Sequence, residues 1–269
     1  KRILKVPFDH DIGDDLFENE RFAVREGDVL RTASGVRCRD VHGPLFDGGF
    51  IHNGDLDCFD GVLYVPMEGE RSDPPVAIAA YDAATLDFIA SAELREDERA
   101  SACTVNPRNG LFYCATRRRD ASDTRIVAFE RRLDLVAGTL GLFEIGDLTL
   151  RSDWPRPIIE NFAVRPFQGM AFSRAGHLYL ALDDEDYRGI HLFDVDVLDG
   201  FRGPFYLPLD GRGAFNEVEL EGMAIHDMSE GLSPGVGGQI HVGEVEHWDL
   251  EYLTFHHWGV ADGSERALV

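Results

Sequence analysis

Residues 167–198, FQGMAFSRAGHLYLALDDEDYRGIHLFDVDVL, read as three β-strands in succession. QGMAF is a short apolar strand, SRAG a turn and HLYLAL a second strand. DDEDYRG is a polar loop, and IHLFDVDV a third strand with apolar-polar alternation. This pattern constrains the fold because other parts of the chain repeat it. HNGDLDCF, GVLYVPM, VAIAAYD and LDFIASAEL form one copy, with Asp60-Gly61 a strong hairpin signal. SACTVN, LFYCAT, RIVAFER and LDLVAGTLGLFEI form another, and ELEGMAIHD, GQIHVGEVE and LEYLTFHHWGV a last. A Pro-rich connector, SDWPRPIIENFAVRP, separates the second from the third and discourages helix.

Aligned on their second strands, Leu63-Tyr64, Phe112-Tyr113 and Leu178-Tyr179 are equivalent, with Ile240-His241 a looser fourth. Counting back nine residues gives Gly54, Cys103 and Gly169, and QGMA against EGMA adds Gly222. Units of about 45 residues, each a small antiparallel meander, are the mark of a radial repeat. No amphipathic helical period of useful length interrupts them, so βαβ architectures are excluded.

The expected fold is all-β: a β-propeller of five blades forming one domain over 1–269. Its blades would cover 9–50, 51–96, 100–146, 165–209 and 218–260. The last unit shows three good strands, so residues 1–8, KRILKVPF, are expected to pair with its outer strand and close the ring. Six blades would need two in the first 50 residues. A β-sandwich explains the strand spacing but not the match of QGMA with EGMA.

At 44% hydrophobic with 18 Phe, the chain of 269 residues can bury a full core. No apolar run approaches the roughly 18 residues that cross a bilayer. KRILKVPFDHD turns acidic too early for a signal peptide. A soluble monomer is the expectation, and the compartment stays open. The formal net charge is −23, from 49 acidic and 26 basic residues, and the only lysines are Lys1 and Lys5. Such a surface repels phosphate backbones and anionic lipid, which argues against nucleic acid and membrane as partners. The acids are spread through the chain, and this acid-rich, lysine-poor composition resembles that of halophilic proteins.

Cys38, Cys58, Cys103 and Cys114 show no CxxC spacing, so zinc knuckle and thioredoxin motifs are absent. If Asn106 faces Leu111 across the PRNG turn, Cys103 faces Cys114, close enough for a disulfide or for a reduced buried pair. No GxSxG, P-loop or Rossmann fingerprint occurs, and no nucleotide cofactor is expected.

In a propeller the first strand of each blade lines the central channel. The residues before the aligned glycines, Asn53, Gln168 and Glu221, with Ala102 in the remaining unit, are therefore candidates for the channel mouth. Carboxamide and carboxylate oxygens there suit a hard cation or a polar substrate. Glu221, His52 and Asp55 are the candidate catalytic groups. Asn53, Gln168, Arg117, Arg118 and Asp184 are the candidate ligand-binding groups, and Glu221, Gln168, Asn53 and Asp57 the candidate metal ligands. The set is oxygen-rich, favouring calcium or another divalent cation. The bland alternative is that channel positions are polar because they are wetted, with Gly allowing close packing at the axis. Arg117-Arg118-Arg119, expected on a loop, can grip a carboxylate or phosphate, or simply balance neighbouring acids.

QGMAF and EGMAI resemble the channel strands of small propellers, namely the glutamine cyclotransferase family and the esterase-like phytase and lactonase propellers. The resemblance implies a ring of Glu, Gln and Asn around a channel, often with a calcium or zinc ion. Two functions follow. One is an enzyme acting on a small polar molecule in the funnel, by metal-assisted hydrolysis or cyclisation. The other is a platform without chemistry that holds a ligand or protein partner.

Overall fold

Alternation of apolar and polar residues between tight turns builds, among the described residues, five sheets in chain order whose strands pair mostly antiparallel. The computed structural model describes residues 2–5, 24–31, 35–40, 50–69, 76–94, 98–118, 124–151, 167–182, 188–208, 218–227, 236–246 and 252–261. Among these there is no helix. The first sheet holds β1 (Arg2–Lys5), β2 (Val24–Glu26), β3 (Val29–Arg31) and β4 (Arg37–Asp40). The second holds β5 (Phe50–Asn53), β6 (Asp57–Phe59), β7 (Val62–Gly69), β8 (Ala77–Asp82) and β9 (Phe88–Glu93). The third is β10 (Glu98–Val105), β11 (Phe112–Arg118), β12 (Thr124–Asp134) and β13 (Thr139–Asp147). The fourth contains β14 (Thr149–Arg151), β15 (Phe167–Phe172), β16 (His177–Leu182), β17 (Gly189–Asp196) and β18 (Asp199–Pro208), with β14 added parallel to β18. The fifth is β19 (Val218–Asp227), β20 (Val236–Glu246) and β21 (Tyr252–Ala261).

The hairpin at Asp60-Gly61 forms as expected. Both residues have positive φ, 50° and 74°, and Phe59 pairs with Val62 around them. This is the two-residue turn whose twist matches the flanking strands.

Among the described residues, four clusters of buried side chains each draw on two neighbouring sheets. Val29 of the first sheet packs with Val65, Met67 and Tyr81 of the second. Tyr64 and Ile78 meet Cys103, Phe112 and Val127 of the third. Tyr113 and Ala128 meet Met170, Leu178 and Phe193 of the fourth. Tyr179 and Ile190 meet Met223, Ile240 and Val242 of the fifth. Sheets stacked face to face in chain order make a β-propeller. The aligned tyrosines Tyr64, Tyr113 and Tyr179 are all fully buried. Each contributes on the order of 2–3 kcal/mol through its ring. Tyr113 satisfies its hydroxyl by donating to Val197 O at 2.8 Å.

Ring closure is where the expectation fails. Residues 2–5 do not pair with the outer strand of the last sheet. They pair antiparallel with β4, Arg2 opposite Asp40 and Lys5 opposite Arg37. RCRD falls in a stretch, RFAVREGDVLRTASGVRCRDV, that reads as two or three short strands, but its charged residues do not name residues 2–5 as a partner. Its edge is nonetheless close in sequence, which makes it the cheaper partner in loop entropy.

This first sheet is clamped to the second by cations. Arg37 Nη1 donates to Ala84 O at 2.7 Å and Lys5 Nζ to Ala83 O at 2.9 Å. Arg39, only 3% exposed, donates to Leu86 O at 2.8 Å and lies 5.7 Å from the Tyr81 ring centroid. It also reaches Asp28 and Asp87, whose side chains are 69% and 67% exposed. Pairs with such exposed acids count for little. The carbonyl contact and the stacked, buried guanidinium carry the clamp. Arg39→Ala should therefore cost about 1–3 kcal/mol in urea denaturation, and Asp28→Ala less than about 0.5 kcal/mol. Equal losses for the two variants would contradict this assignment.

Candidate functional site

Three inner strands, β10, β15 and β19, run side by side around the axis, and the chain between β5 and β6 completes the approach. Asp55, in that short link, is fixed first through its peptide. Its N–H donates to Ser101 O at 2.8 Å, and its carbonyl accepts from Cys103 N–H at 3.1 Å. These bonds form a parallel bridge between Asp55 and Ala102. The side chain then crosses the axis. Asp55 Oδ2 accepts from Met170 N–H at 3.1 Å and from Met223 N–H at 3.3 Å, on the inner strands of the fourth and fifth sheets. One residue thus ties four sheets together. Gly222, with φ of 152°, leaves room for it, since a Cβ there would lie 2.8 Å from Asp55 Oδ1.

Asp57 makes a second set of ties. Its Oδ2 accepts from Thr104 Oγ1 at 2.9 Å and Val105 N–H at 2.8 Å, and its Oδ1 from Cys58 N–H at 2.8 Å. Thr104 Oγ1 accepts in turn from Phe172 N–H at 3.2 Å. A carboxylate, a hydroxyl and an amide therefore connect the second, third and fourth sheets. Thr104 is fully buried and was not foreseen as a site residue, because its role depends on contacts between blades.

Burial pushes the Asp55 carboxyl well above the usual carboxylate range, against the pull of the Met170 and Met223 amides, and the nearby Asp57 charge adds to the rise. Asp57 is also raised by burial, opposed by the Val105 amide, the Thr104 hydroxyl and, more weakly, Arg131. The carboxyl of Asp55 is packed among protein atoms, while the residue as a whole keeps part of its surface in solvent. Two like charges this close, both desolvated, favour keeping at least one proton. Arg131 lies over the rings of Phe59 and Tyr64, at 4.9 and 5.1 Å, and its guanidinium donates to the Tyr64 hydroxyl.

The pairing registers revise the expected equivalences. Asp57, Thr104, Ala171 and Ala224 lie opposite Tyr64, Tyr113, Tyr179 and His241. Stepping back two residues aligns Asp55, Ala102, Gly169 and Gly222. Gln168 and Glu221 are the extra residues at bulges in β15 and β19, as Ser101 is in β10. Their counterpart in the second sheet is Gly54, not Asn53. The fixed count of nine fails because the turns joining first and second strands differ in length, from Phe59–Val62 to Val105–Phe112.

Asn53 has a buried Oδ1 without a hydrogen-bond partner among the described residues, so it can accept from a ligand or water. His52 is exposed and sits opposite Glu68. Arg117 and Arg118 belong to β11 rather than to a loop, opposite Arg99 and Glu98. The Glu98 pairing extends the ladder into the basic run. The side chains of Gln168, Glu221, Arg117 and Arg118, and all of Asp184, lie outside the described residues.

As a cation ligand Asp57 does not fit, because three donors already occupy its two oxygens. Asn53 Oδ1 fits as a neutral oxygen donor. Among the described residues, no three His, Cys, Asp or Glu side chains cluster to hold a metal.

No family model and no curated protein sequence matches the chain. Among solved structures, it is similar to a gluconolactonase from Xanthomonas campestris, at 12% identity and TM-score 0.49, covering 80% of this chain and 60% of that one. A GH43 β-xylosidase/α-arabinofuranosidase from a compost microbial metagenome matches at 13% identity and TM-score 0.49, covering 90% and 87%. The calcium-binding protein regucalcin from Agrobacterium tumefaciens matches at 12% identity and TM-score 0.40, covering 87% and 72%. The chain thus spans less than two thirds of the gluconolactonase's length. Likeness at this level says nothing about which residues act, and the site rests on Asp55 and its surroundings.

Proposed function

We propose that the protein is a β-propeller enzyme of hydrolase type, acting on a small polar molecule at the axial Asp55. The observation that carries this reading is a titratable carboxyl at the junction of four sheets, desolvated yet on a residue that solvent reaches. A carboxyl with a raised pKa keeps its proton nearer to neutral pH, where it can serve a leaving oxygen as general acid. The fixed amides of Met170 and Met223 hold the group in place on either protonation state. The unpartnered Asn53 Oδ1 offers a place to orient a substrate hydroxyl or amide. Calcium or another divalent cation would draw on Asn53, Gln168 and Glu221 rather than on Asp57.

A panel of sugar lactones, aryl glycosides and carboxyl esters tests this, with and without chelator and with added calcium, magnesium or zinc. Asp55→Asn, checked for an intact fold by circular dichroism, should lose about 100-fold or more in kcat/KM on whichever class is turned over. A wild-type protein inert to the whole panel would remove the enzyme reading, and a fully active Asp55→Asn variant would remove Asp55 from the reaction.

A second reading has its own support. Asp55 Oδ2 and both oxygens of Asp57 are already committed to protein donors. On that reading the carboxyls are internal clasps of a rigid binding platform, and their substitution alters stability while leaving ligand capture on the loops unchanged.

A further inference from the structure

We propose that Cys103 and Cys114 form an oxidisable dithiol that closes as a cross-strand disulfide between β10 and β11, beside the axial carboxyl. The two residues are directly opposed in the antiparallel register. Asn106 N–H donates to Leu111 O at 2.9 Å, which makes 106–111 a hydrogen-bonded pair. Alternation from there makes 104–113 hydrogen-bonded and 103–114 non-hydrogen-bonded. The Cys103 N–H agrees, since it points away from β11 and donates to Asp55 O. Opposed residues of the non-hydrogen-bonded kind have Cα atoms about 4.5 Å apart. That separation lies within the roughly 4.4–6.8 Å a disulfide spans.

Directly opposed side chains share a face, and both thiols indeed belong to the one cluster between the second and third sheets. Both cysteines are fully buried, and each is unbonded to another cysteine. In the reduced form the Cys103 thiol donates to Tyr64 O at 3.3 Å. Cys38, by contrast, faces Leu4 and Leu30, and Cys58 faces Leu63, so neither has a cysteine opposite.

The chemistry is thiol–disulfide exchange with a small disulfide oxidant such as oxidised glutathione. One cysteine thiolate attacks the oxidant, forming a mixed disulfide and releasing one glutathione thiolate. The second cysteine thiolate then displaces the other glutathione. The two cysteines give up two protons and two electrons, and the oxidant leaves as two thiols. Burial pushes the Cys103 thiol up, and charges on Cys114, Asp57 and Asp55 push it further. The folded pair is therefore slow to react, and exchange proceeds through local opening or during folding. Closing the bond removes the thiol donor from Tyr64 O and fixes β10, whose Ser101 and Cys103 peptides hold Asp55.

Full-length protein is equilibrated in oxidised and in reduced glutathione buffers a few degrees below its unfolding midpoint, where opening gives access. It is then denatured in acid and alkylated with N-ethylmaleimide, and its peptides are mapped by mass. In the oxidised sample Cys103 and Cys114 should be protected and recovered as one linked pair about 2 Da lighter than the two thiols. Cys58, which is exposed, reports that the oxidant acted, as a glutathione adduct. The linked protein should melt roughly 5 °C higher than the reduced one. Cys114→Ala should abolish both the protection of Cys103 and the shift. Full alkylation of Cys103 and Cys114 in the oxidised sample, while Cys58 carries its adduct, would overturn the proposal. A linkage of either residue to Cys38 or Cys58 would do the same.

Discussion

Asp55→Ala should lower the unfolding free energy by about 2–4 kcal/mol near pH 5, and Asp55→Asn by less than about 1 kcal/mol. The alanine variant strands the amides of Met170 and Met223, on two different sheets, without their shared acceptor. Each buried donor left unpaired costs about 1–3 kcal/mol, less whatever water regains at this partly exposed residue. Asparagine keeps an oxygen for the same amides and carries no charge to desolvate. The two variants should also differ from the wild type in pH dependence. The folded Asp55 carboxyl holds its proton more tightly than the unfolded chain does. Its contribution is therefore fully present below the unfolded pKa, about 3.9, and is lost as pH rises through the raised folded value. Wild-type stability should fall over that window, and Asp55→Asn should flatten the fall. Asp57, raised in the same direction, supplies a smaller share that Asp57→Asn would remove. Urea titrations at intervals from pH 4 to 8 read both effects. An Asp55→Asn variant with the wild-type slope would show that the carboxyl is ordinary in the fold.

That carboxyl marks the boundary of what the residues alone disclose. Period-two alternation and the Asp60-Gly61 turn made the hairpins legible, because both are local properties of the chain. The aligned tyrosines were legible for the same reason, and they are buried at matching places in three sheets. Asp55 was singled out for its proximity to the glycine, yet its reach across the axis to Met170 and Met223 is set by how sheets are arranged around it. Equivalence by counting failed for Asn53, since a turn of different length shifts the register by a residue without changing the apolar pattern. RFAVREGDVLRTASGVRCRDV reads as two or three short strands, and β4 is one of them. Its pairing with residues 2–5 was not legible, since RCRD is charged although Cys38 and Arg39 within it are buried. Arg39 satisfies its charge in the second sheet, with Leu86 O and Tyr81, a partner no local pattern can name. The register of Cys103 with Cys114 was legible, because Asn106 and Gly110 define the turn between them.

Gly169→Ala should cost about 2–4 kcal/mol. A Cβ at Gly169 would lie 2.7 Å from Met223 N, 2.9 Å from Gly222 C and 3.0 Å from Gly222 Cα. All three are backbone atoms of β19, so relief requires moving one inner strand away from another. Overpacking of this kind costs roughly 1–3 kcal/mol by itself. The movement has a second consequence, because Met170 and Met223 present their amides to the same Asp55 oxygen. Separating β15 from β19 lengthens at least one of those bonds, which adds about 1 kcal/mol. Gly141→Ala is the matched control. Its Cβ would approach an atom almost as closely, at 2.9 Å, but that atom is Cε2 of Phe143, a ring 50% exposed and free to swing. With the ring displaced, the lower chain entropy of alanine offsets the crowding, leaving a net change within about 1 kcal/mol of zero. Urea denaturation of the two variants at one pH separates them. A Gly169→Ala loss no larger than that of Gly141→Ala would mean that β15 and β19 are not in backbone contact at the axis, and the shared hold on Asp55 would fall with it.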